Sequence, residues 1–378
     1  MNILFLTEND AIPEHGGVER VTSLLSRYLK EKFGHAVMTL SLNSLNQSAS
    51  PKDKFLKILK ENRVDVIINQ NLIRAHFRLL QGIPPSIKIV SVLHNRPFQH
   101  ENLGVTFKRL SYPSSCKEFI MKLIGLWMPS FYIGQRLKAS RKNLNKFLAV
   151  SDRLVVLCEK YKERIIKFMP EADTGKILAI PNPNTYNLNL SGNNDEKENI
   201  VLFVGRLAHP QKNVTGFIDI WKRFNDIHPD WKAIIVGDGP HDHQIKAYAR
   251  KCSVRNLIFM GNKPEISDFY KQAKILCITS LYEGWPMVIP EAVSFGCLPV
   301  MYDSFEATLD LFPLGYRQTL VVPYNEDKML ETLLDFATDD KKRDELTSRI
   351  QKHIARYDIT FIGNKWNELL QTISSECF

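Results

Sequence analysis

Ser280-Leu281-Tyr282-Glu283-Gly284-Trp285-Pro286-Met287-Val288-Ile289-Pro290-Glu291-Ala292 follows the apolar run Ile275–Thr279. Together they read as the end of a buried strand, a glycine-opened turn and the start of a helix. Proline favours the first turn of a helix, where the amide it lacks has no acceptor anyway. With Pro286 there, the backbone N–H groups of Met287 and Val288 point outward at the positive end of the helix, and Gly284 leaves the approach open; a terminus of this kind receives phosphate. Glu283 and Glu291 bracket the turn, with Glu291 about a turn into the helix, where a carboxylate can accept hydrogen bonds from a sugar diol. On spacing alone the pair reads first as two solvent-facing acids, one on a loop and one on a helix.

This strand-turn-helix unit belongs to a longer alternation. Before it the pattern predicts strands Ile200–Val204, Trp231–Val236 and Leu257–Met260, with helices Asn213–Asn225, His243–Arg250 and Ile266–Gln272 between them. After it come helix Pro286–Phe295, strand Leu298–Tyr302 and a helical tail from Glu326 onward. The first half of the chain alternates in the same way. Strand Asn2–Thr7, a loop holding Gly16 and Gly17, and helix Val18–Phe33 lead to strand His35–Leu42, helix Lys52–Glu61 and strands Val64–Ile68, Ile87–Leu93 and Arg153–Leu157. Alternation of this kind implies α/β domains with parallel, doubly wound sheets and ligand crevices at the carboxyl ends of the strands. A chain of 378 residues holds two such domains. Residues 187–199 lose apolar periodicity and fill with Asn, Gly and charge, which makes them the linker. The expected organisation is an N-terminal domain 1–186 with an insertion at 104–142, a linker 187–199, a C-terminal domain 200–357 and a terminal helix 358–378 that crosses back to the N-terminal domain.

Two further stretches carry chemistry. Gly205-Arg206-Leu207-Ala208-His209-Pro210-Gln211-Lys212-Asn213 follows the first strand of the second domain. Arg206 and Lys212 beside a helix start capped by Asn213 suit a diphosphate, Arg as a fork and Lys as a point charge; ordinary solvated cations at a strand end are the alternative. Val236-Gly237-Asp238-Gly239-Pro240 ends a strand with two glycines, but Pro240 replaces the helix that a dinucleotide fingerprint needs. Residues 7–20 also lack that fingerprint, which argues against a nicotinamide dehydrogenase. His94 stands at the end of the strand Ile87–Leu93; by itself a strand-end histidine reads as structural.

The net charge of +9 is uneven: residues 1–190 carry 28 Lys and Arg against 15 Asp and Glu, and residues 191–378 carry 22 against 26. A basic first half suits an anionic ligand or an anionic membrane face; no zinc-finger spacing or ribonucleoprotein motif supports nucleic acid. Within 104–142, Lys108, Arg109, Lys117, Lys122, Arg136, Lys138, Arg141 and Lys142 face the single acid Glu118 among many aromatic and aliphatic residues. Such a segment either lies on an anionic membrane surface or caps the domain with a solvated basic face. The six cysteines show no paired or metal-ligand spacing, so no metal site is expected. The N-terminal apolar run is too short for a signal peptide or a membrane span, which predicts a cytoplasmic protein, peripheral on the inner membrane face if the basic segment binds lipid.

Taken in order, Gly16-Gly17-Val18-Glu19-Arg20, Gly205-Arg206 with Lys212-Asn213, Gly237-Asp238-Gly239-Pro240, and Glu283 with Glu291 as E-x7-E resemble glycosyltransferase family 4, the large retaining GT-B family. Ile180-Pro181-Asn182-Pro183 resembles the family's domain junction. The resemblance spans nearly the whole chain, strongest over 200–302 and weakest over 104–142. It implies a GT-B fold, two Rossmann-like domains facing across a cleft. It also implies retaining transfer of a sugar from a nucleotide-sugar, UDP- ahead of GDP-, to a glycan or lipid-linked acceptor, as in bacterial cell-surface polysaccharide synthesis. By the same resemblance Arg206 and Lys212 neutralise the donor diphosphate, so no cofactor or metal is needed. Glu291 holds the ribose, Glu283 faces the sugar, and the Met287 and Val288 amides cap the phosphates. Gly16, Gly17, Gly205, Gly237 and Gly284 let backbone approach the donor, and His94 lies near the reacting sugar. Trp285 stands where the family usually has Phe, and Pro290 where it often has Leu, so the donor pocket departs in detail. A sugar-nucleotide epimerase and an inactive nucleotide-sugar-binding module are the rival readings. The first would need an acid/base set beside the donor carbon, and no such set stands out; the intact basic and acidic pairs oppose the second.

Overall fold

The computed structural model describes residues 1–13, 16–99, 123, 125, 127–186 and 197–376. These form two compact units, one of Met1–Phe98, Gln135–Thr185 and Arg356–Phe378, the other of Gln99–Gly134 and Tyr186–Ala355.

In the first unit six parallel strands stand in the order β2-β1-β3-β4-β5-β6: β1 Asn2–Thr7, β2 Ala36–Ser41, β3 Val66–Asn69, β4 Lys88–Leu93, β5 Arg153–Val156 and β6 Ile177–Ala179. Every residue of β3 is buried, as are all but the first of β1, the pattern of strands covered by helices on both faces. The helices are α1 Gly17–Phe33, α2 Leu42–Asn46, α3 Pro51–Glu61, α4 Arg74–Leu80, α5 Pro129–Val150 and α6 Glu159–Phe168. Val21, Leu25 and Leu29 bury one face of α1, which ends where Gly34 turns left-handed with φ +67°. Strand β2 stops a residue short of the expected Leu42 because the Ser41 side chain accepts the Ser44 amide and caps α2. Leu4, Leu6, Leu45, Phe55, Ile67 and Phe147 form the core on this face.

Helix α5 crosses the expected C-terminal boundary of the 104–142 insertion. It runs without a break through position 142 to the start of β5, burying Leu144, Phe147 and Leu148 while Phe131, Arg136, Lys138, Arg141 and Lys142 stay exposed. The basic positions Lys108, Arg109, Lys117 and Lys122 lie outside the described residues.

The second unit holds another six-stranded parallel sheet, in the order β12-β11-β10-β7-β8-β9. Its strands are β7 Glu198–Val204, β8 Lys232–Val236, β9 Leu257–Gly261, β10 Ala273–Ile278, β11 Leu298–Tyr302 and β12 Leu320–Val321. The helices are α7 Val214–Ile227, α8 Asp242–Lys251, α9 Ser267–Gln272, α10 Val288–Ser294, α11 Thr308–Leu311, α12 Glu326–Thr338 and α13 Asp340–Ile354. Of the expected linker 187–199, residues 187–196 lie outside the described residues, while Glu198 and Asn199 already belong to β7. The sheet is doubly wound: successive strands run from β7 out to β9, then return to the other side of β7 as β10, β11 and β12. The order reverses between β7 and β10, and that reversal is where open α/β sheets bind ligands.

The last helix, α14 Ile359–Ser375, starts at Asp358, whose carboxylate accepts the Thr360 amide at 2.8 Å. It belongs to the first unit and packs on α1. Gly363 makes that approach possible, since a Cβ there would lie 2.3 Å from the Tyr28 ring. Trp366 is buried, and His35 Nε2 bonds Asn367 Oδ1 at 2.8 Å. Among the described residues no helix is long and apolar enough to cross a membrane.

Candidate functional site

Both chemistry-bearing stretches of the second unit fall at the strand-order reversal, one after β7 and one after β10. They are laced together there. Thr279 Oγ1 donates to the Lys212 and Asn213 carbonyls, both at 3.0 Å, and the Leu281 amide donates to the Gln211 carbonyl at 2.8 Å. Lys212 Nζ donates to Glu283 Oε1 at 2.6 Å, and Gln211 Nε2 reaches Glu283 Oε2 at 3.5 Å. Glu283 is 8% exposed, so the ion pair is largely shielded from water and taking away either partner strands a charge. Arg206, on the same loop as Lys212, is exposed. Lys212 and Glu283, expected to act separately on a donor, thus meet each other.

Gly205 adopts φ +152°, and a Cβ on it would lie 3.3 Å from Lys212 Cε. Its smallness lets the lysine lie across the backbone. Gly237, expected to approach the donor, has a different requirement in the structure. Its φ is +133°, and a Cβ on it would sit 2.1 Å from the Gly205 carbonyl oxygen. The Leu207 amide donates to the Asp238 carbonyl at 2.7 Å and the His241 amide to the Leu207 carbonyl at 3.1 Å, so the loops after β7 and β8 press backbone on backbone. Asn213 occupies the position before α7, but with a left-handed backbone of φ +47° and no side-chain capping bond. Its expected capping role is not made; its carbonyl instead takes the bond from Thr279.

Helix α10 starts at Val288, two residues past Pro286, whose carbonyl accepts the Ile289 amide at 3.1 Å. Pro286 is therefore just outside the first turn, and Pro290 is the proline inside it, where the missing amide costs no helical bond. The Met287 and Val288 amides lie at the N-terminal end, where a helix offers them no internal acceptor. Gly284, in the turn before them, is buried. Glu291 is 0% exposed, and Tyr270 of α9 donates to its Oε2 at 3.1 Å. Neither acid of the E-x7-E pair faces solvent, so the structure rejects that reading of the spacing. Tyr270 and Thr279 were not among the residues picked from the sequence; Tyr270 sits inside a predicted helix with nothing in the chain to pair it with Glu291.

In the first unit the order reverses between β1 and β3. Gly16 precedes α1 with an extended backbone, φ 170°, open to any residue, and Gly17 is the first residue of the helix. His94 follows β4, with Nε2 2.6 Å from Oε1 of Gln70, the residue after β3. Burial lowers the His94 pKa from 6.5 to about 4, so the ring is neutral at pH 7. A buried polar layer lies beneath. Asn69 Nδ2 donates to Ser91 Oγ at 3.1 Å, Ser91 meets Ser151 at 2.8 Å, and Asn69 Oδ1 lies 2.6 Å from His76 Nδ1. Burial lowers the His76 pKa to about 4 as well. Among the described residues no three His, Cys, Asp or Glu side chains gather as a metal-binding group.

The fold matches solved structures along its whole length. Sucrose-phosphate synthase from Thermosynechococcus elongatus superposes with a TM-score of 0.73 at 14% identity, covering 100% of both chains. Anabaena Alr3699/HepE in complex with UDP-glucose gives 0.71 at 17%, covering 98% of this chain and 100% of the other. The fold is GT-B. In sequence, 24% identity over 216 residues relates the chain to the GalNAc-alpha-(1->4)-GalNAc-alpha-(1->3)-diNAcBac-PP-undecaprenol alpha-1,4-N-acetyl-D-galactosaminyltransferase of Campylobacter jejuni subsp. jejuni, covering 57% of this chain and 58% of that one. It is 30% identical over 204 residues to the UDP-Gal:alpha-D-GlcNAc-diphosphoundecaprenol alpha-1,3-galactosyltransferase of Escherichia coli, covering 50% and 52%. An uncharacterised glycosyltransferase of Haemophilus influenzae is 32% identical over 165 residues, covering 42% and 44%. The chain thus spans about half the length of these relatives. Residues 189–353, which carry the paired loops after β7 and β10, match the family of glycosyl transferases group 1.

Proposed function

We propose that the protein is a retaining glycosyltransferase that moves a sugar from a nucleotide-sugar, UDP-sugars ahead of GDP-sugars, to a glycan or lipid-linked acceptor in bacterial cell-surface polysaccharide synthesis. The observation that carries this reading is the Lys212–Glu283 pair held at the strand-order reversal inside the segment that matches glycosyl transferases group 1. Support for the substrates comes from the relatives, two of which act on undecaprenol-linked glycans by name, and from the UDP-glucose bound to the Anabaena protein.

Breaking the anomeric C–O bond leaves negative charge on the departing diphosphate and positive charge on the sugar ring. In this reading Arg206 and Lys212 neutralise the diphosphate, with the Met287 and Val288 amides adding their dipoles, and a divalent metal is not required. Fixed charges aimed at a leaving group supply a large share of such catalysis. When the diphosphate takes over Lys212, the Glu283 carboxylate is released toward the sugar. Glu291, steadied by Tyr270, is assigned to the ribose of the bound nucleotide, and His94 to a sugar or acceptor hydroxyl. Gly16 and Gly17 remain assigned to close approach of the donor. Localisation at the inner membrane face is part of the proposal; its support is the exposure of Trp127 (87%), Met128 and Phe131 and of the basic residues Arg136, Lys138, Arg141 and Lys142.

The test is incubation in EDTA with UDP- and GDP-sugars one at a time, following the unfolding midpoint and the release of nucleoside diphosphate. A midpoint raised by UDP-sugars alone, with Arg206→Ala abolishing both the shift and the release, is the expected result. A cooperatively folded protein that answers to no donor overturns the proposal.

A further inference from the structure

His94 carries a feature that the proposed transfer does not account for. Its Nε2 is held at 2.6 Å by Gln70 Oε1, while its Nδ1 is shielded from bulk water and has no hydrogen-bond partner among the described residues. A buried polar atom left without a partner costs free energy, and such an atom in a native protein needs a reason. A neutral imidazole has one donor nitrogen and one acceptor nitrogen, and a carbonyl oxygen can only accept. The Gln70 oxygen therefore places the proton on Nε2 and the lone pair on Nδ1.

We propose that Gln70 is a positioning residue that locks His94 in the Nε2–H tautomer, so that Nδ1 is reserved as an acceptor for a hydroxyl group of the sugar or of the acceptor. The inference rests on the transfer reading for the identity of that hydroxyl, but the tautomer itself does not. Gln70 is well suited to the task. It is buried, its backbone amide donates to the Leu6 carbonyl at 2.9 Å, and it directly follows Asn69 at the end of β3. Asn69 in turn is tied to Ser91 of β4 and to His76 of α4. The amide oxygen is thus carried on a backbone that two strands and a polar layer hold still. An amide also accepts the proton without adding charge, which leaves the ring neutral; burial lowers its pKa, and among the described residues no charged group contributes. A carboxylate at the same place would do the opposite, since an opposite charge against an N–H favours the imidazolium and turns both nitrogens into donors.

The experiment uses the full chain labelled with 15N-histidine, with His94 assigned by its loss in His94→Gln. Two-bond proton–nitrogen correlations report which ring nitrogen carries the proton. The wild type is expected to show protonated Nε2 and bare Nδ1, unchanged between about pH 8 and about pH 5.5. Gln70→Leu is expected to show a mixture of tautomers and about a tenfold fall in kcat/KM that does not vary with pH, the size of one lost hydrogen bond. Gln70→Glu, close in shape, is expected to raise the His94 pKa into the neutral range and to add an acid limb to the kcat profile, with activity recovering as the pH rises. A Gln70 that only packs would lower the unfolding midpoint and move neither the tautomer nor the profile. An Nδ1–H tautomer in the wild type, a wild-type titration near pH 6.5, or Gln70→Glu without an acid limb overturns the proposal. The expected spectra in a protein that transfers no sugar would support Gln70's role in setting the tautomer and sink the transfer reading instead.

Discussion

At Gly237 an added methyl group would lie 2.1 Å from a backbone oxygen, and the φ of +133° is itself closed to other residues. Neither loop can retreat without breaking the Gly205–Val236 and Gly237–Gly261 hydrogen bonds. Gly237→Ala is therefore expected to cost at least about 2–4 kcal/mol in urea unfolding. Gly16 is the contrasting case. Its backbone is extended, and among the described residues a methyl group there would meet only the flexible Glu19 carboxylate. Gly16→Ala should stay within about 0.5 kcal/mol of the wild type, so a loss of donor response in that variant would report on ligand approach. The Lys212–Glu283 pair makes the third prediction at this scale. Lys212→Met strands a carboxylate that is mostly hidden from water and should cost about 3–5 kcal/mol. Adding Glu283→Gln should restore much of that stability, and strictly additive losses in the cycle would show that the two are uncoupled. Each residue of the pair stands out in the sequence, but their partnership does not: they are 71 positions apart and meet only because β10 lies next to β7.

Among elements, the packing of α14 on α1 turns on one residue. Gly363→Ala places a methyl group 2.3 Å from the Tyr28 ring, and overpacking of this kind is expected to cost about 1–3 kcal/mol; an unchanged urea midpoint would mean that Tyr28 moves aside freely. The buried polar cluster of Asn69, Ser91 and His76 makes stability depend on pH. His76 is fully buried and its pKa falls to about 4, so between pH 6.5 and that value the unfolded chain binds a proton that the native chain refuses. Stability from this group is whole at neutral pH and is lost as the pH falls, by up to about 3 kcal/mol. His76→Gln should flatten that part of the profile whatever it does to stability at pH 7. Elements were legible where a local apolar run or helical period stood out, at any length: the four-residue β3 and the six-residue α9 were read, while the ten-residue α6 was not. Strand β1 and helices α1 and α3 are long and periodic enough to read directly. Strands β6 and β12 and helices α2, α4 and α11, of two to seven residues, did not stand out in this way, and only tertiary pairing makes them.

For the whole molecule, binding a nucleotide-sugar to the native state alone should raise stability by about 2.7 kcal/mol at a hundredfold excess over the dissociation constant, with EDTA present. The basic first half and the exposed face of α5 set a second expectation. The protein should float with liposomes containing anionic lipid and be released by salt, and Trp127→Ala should weaken the association. Failure to float in either lipid, with the fold intact, removes the membrane from the proposal.

The alternation of apolar runs determined two α/β units, because a strand buried under helices has to be apolar along its length and a covering helix along one face. The glycines, the basic pair and the E-x7-E acids marked the loops at the strand ends, because such loops are where a regular sheet leaves backbone and charge available. The tertiary structure alone decided how those parts combine: Lys212 on Glu283, Tyr270 on Glu291, Gln70 on His94, and Gly237 against the backbone of Gly205. Each of these joins residues from different strand-helix units, and the order in which parallel strands line up in a sheet is set by how the helices pack across it, a property that no local stretch of chain contains.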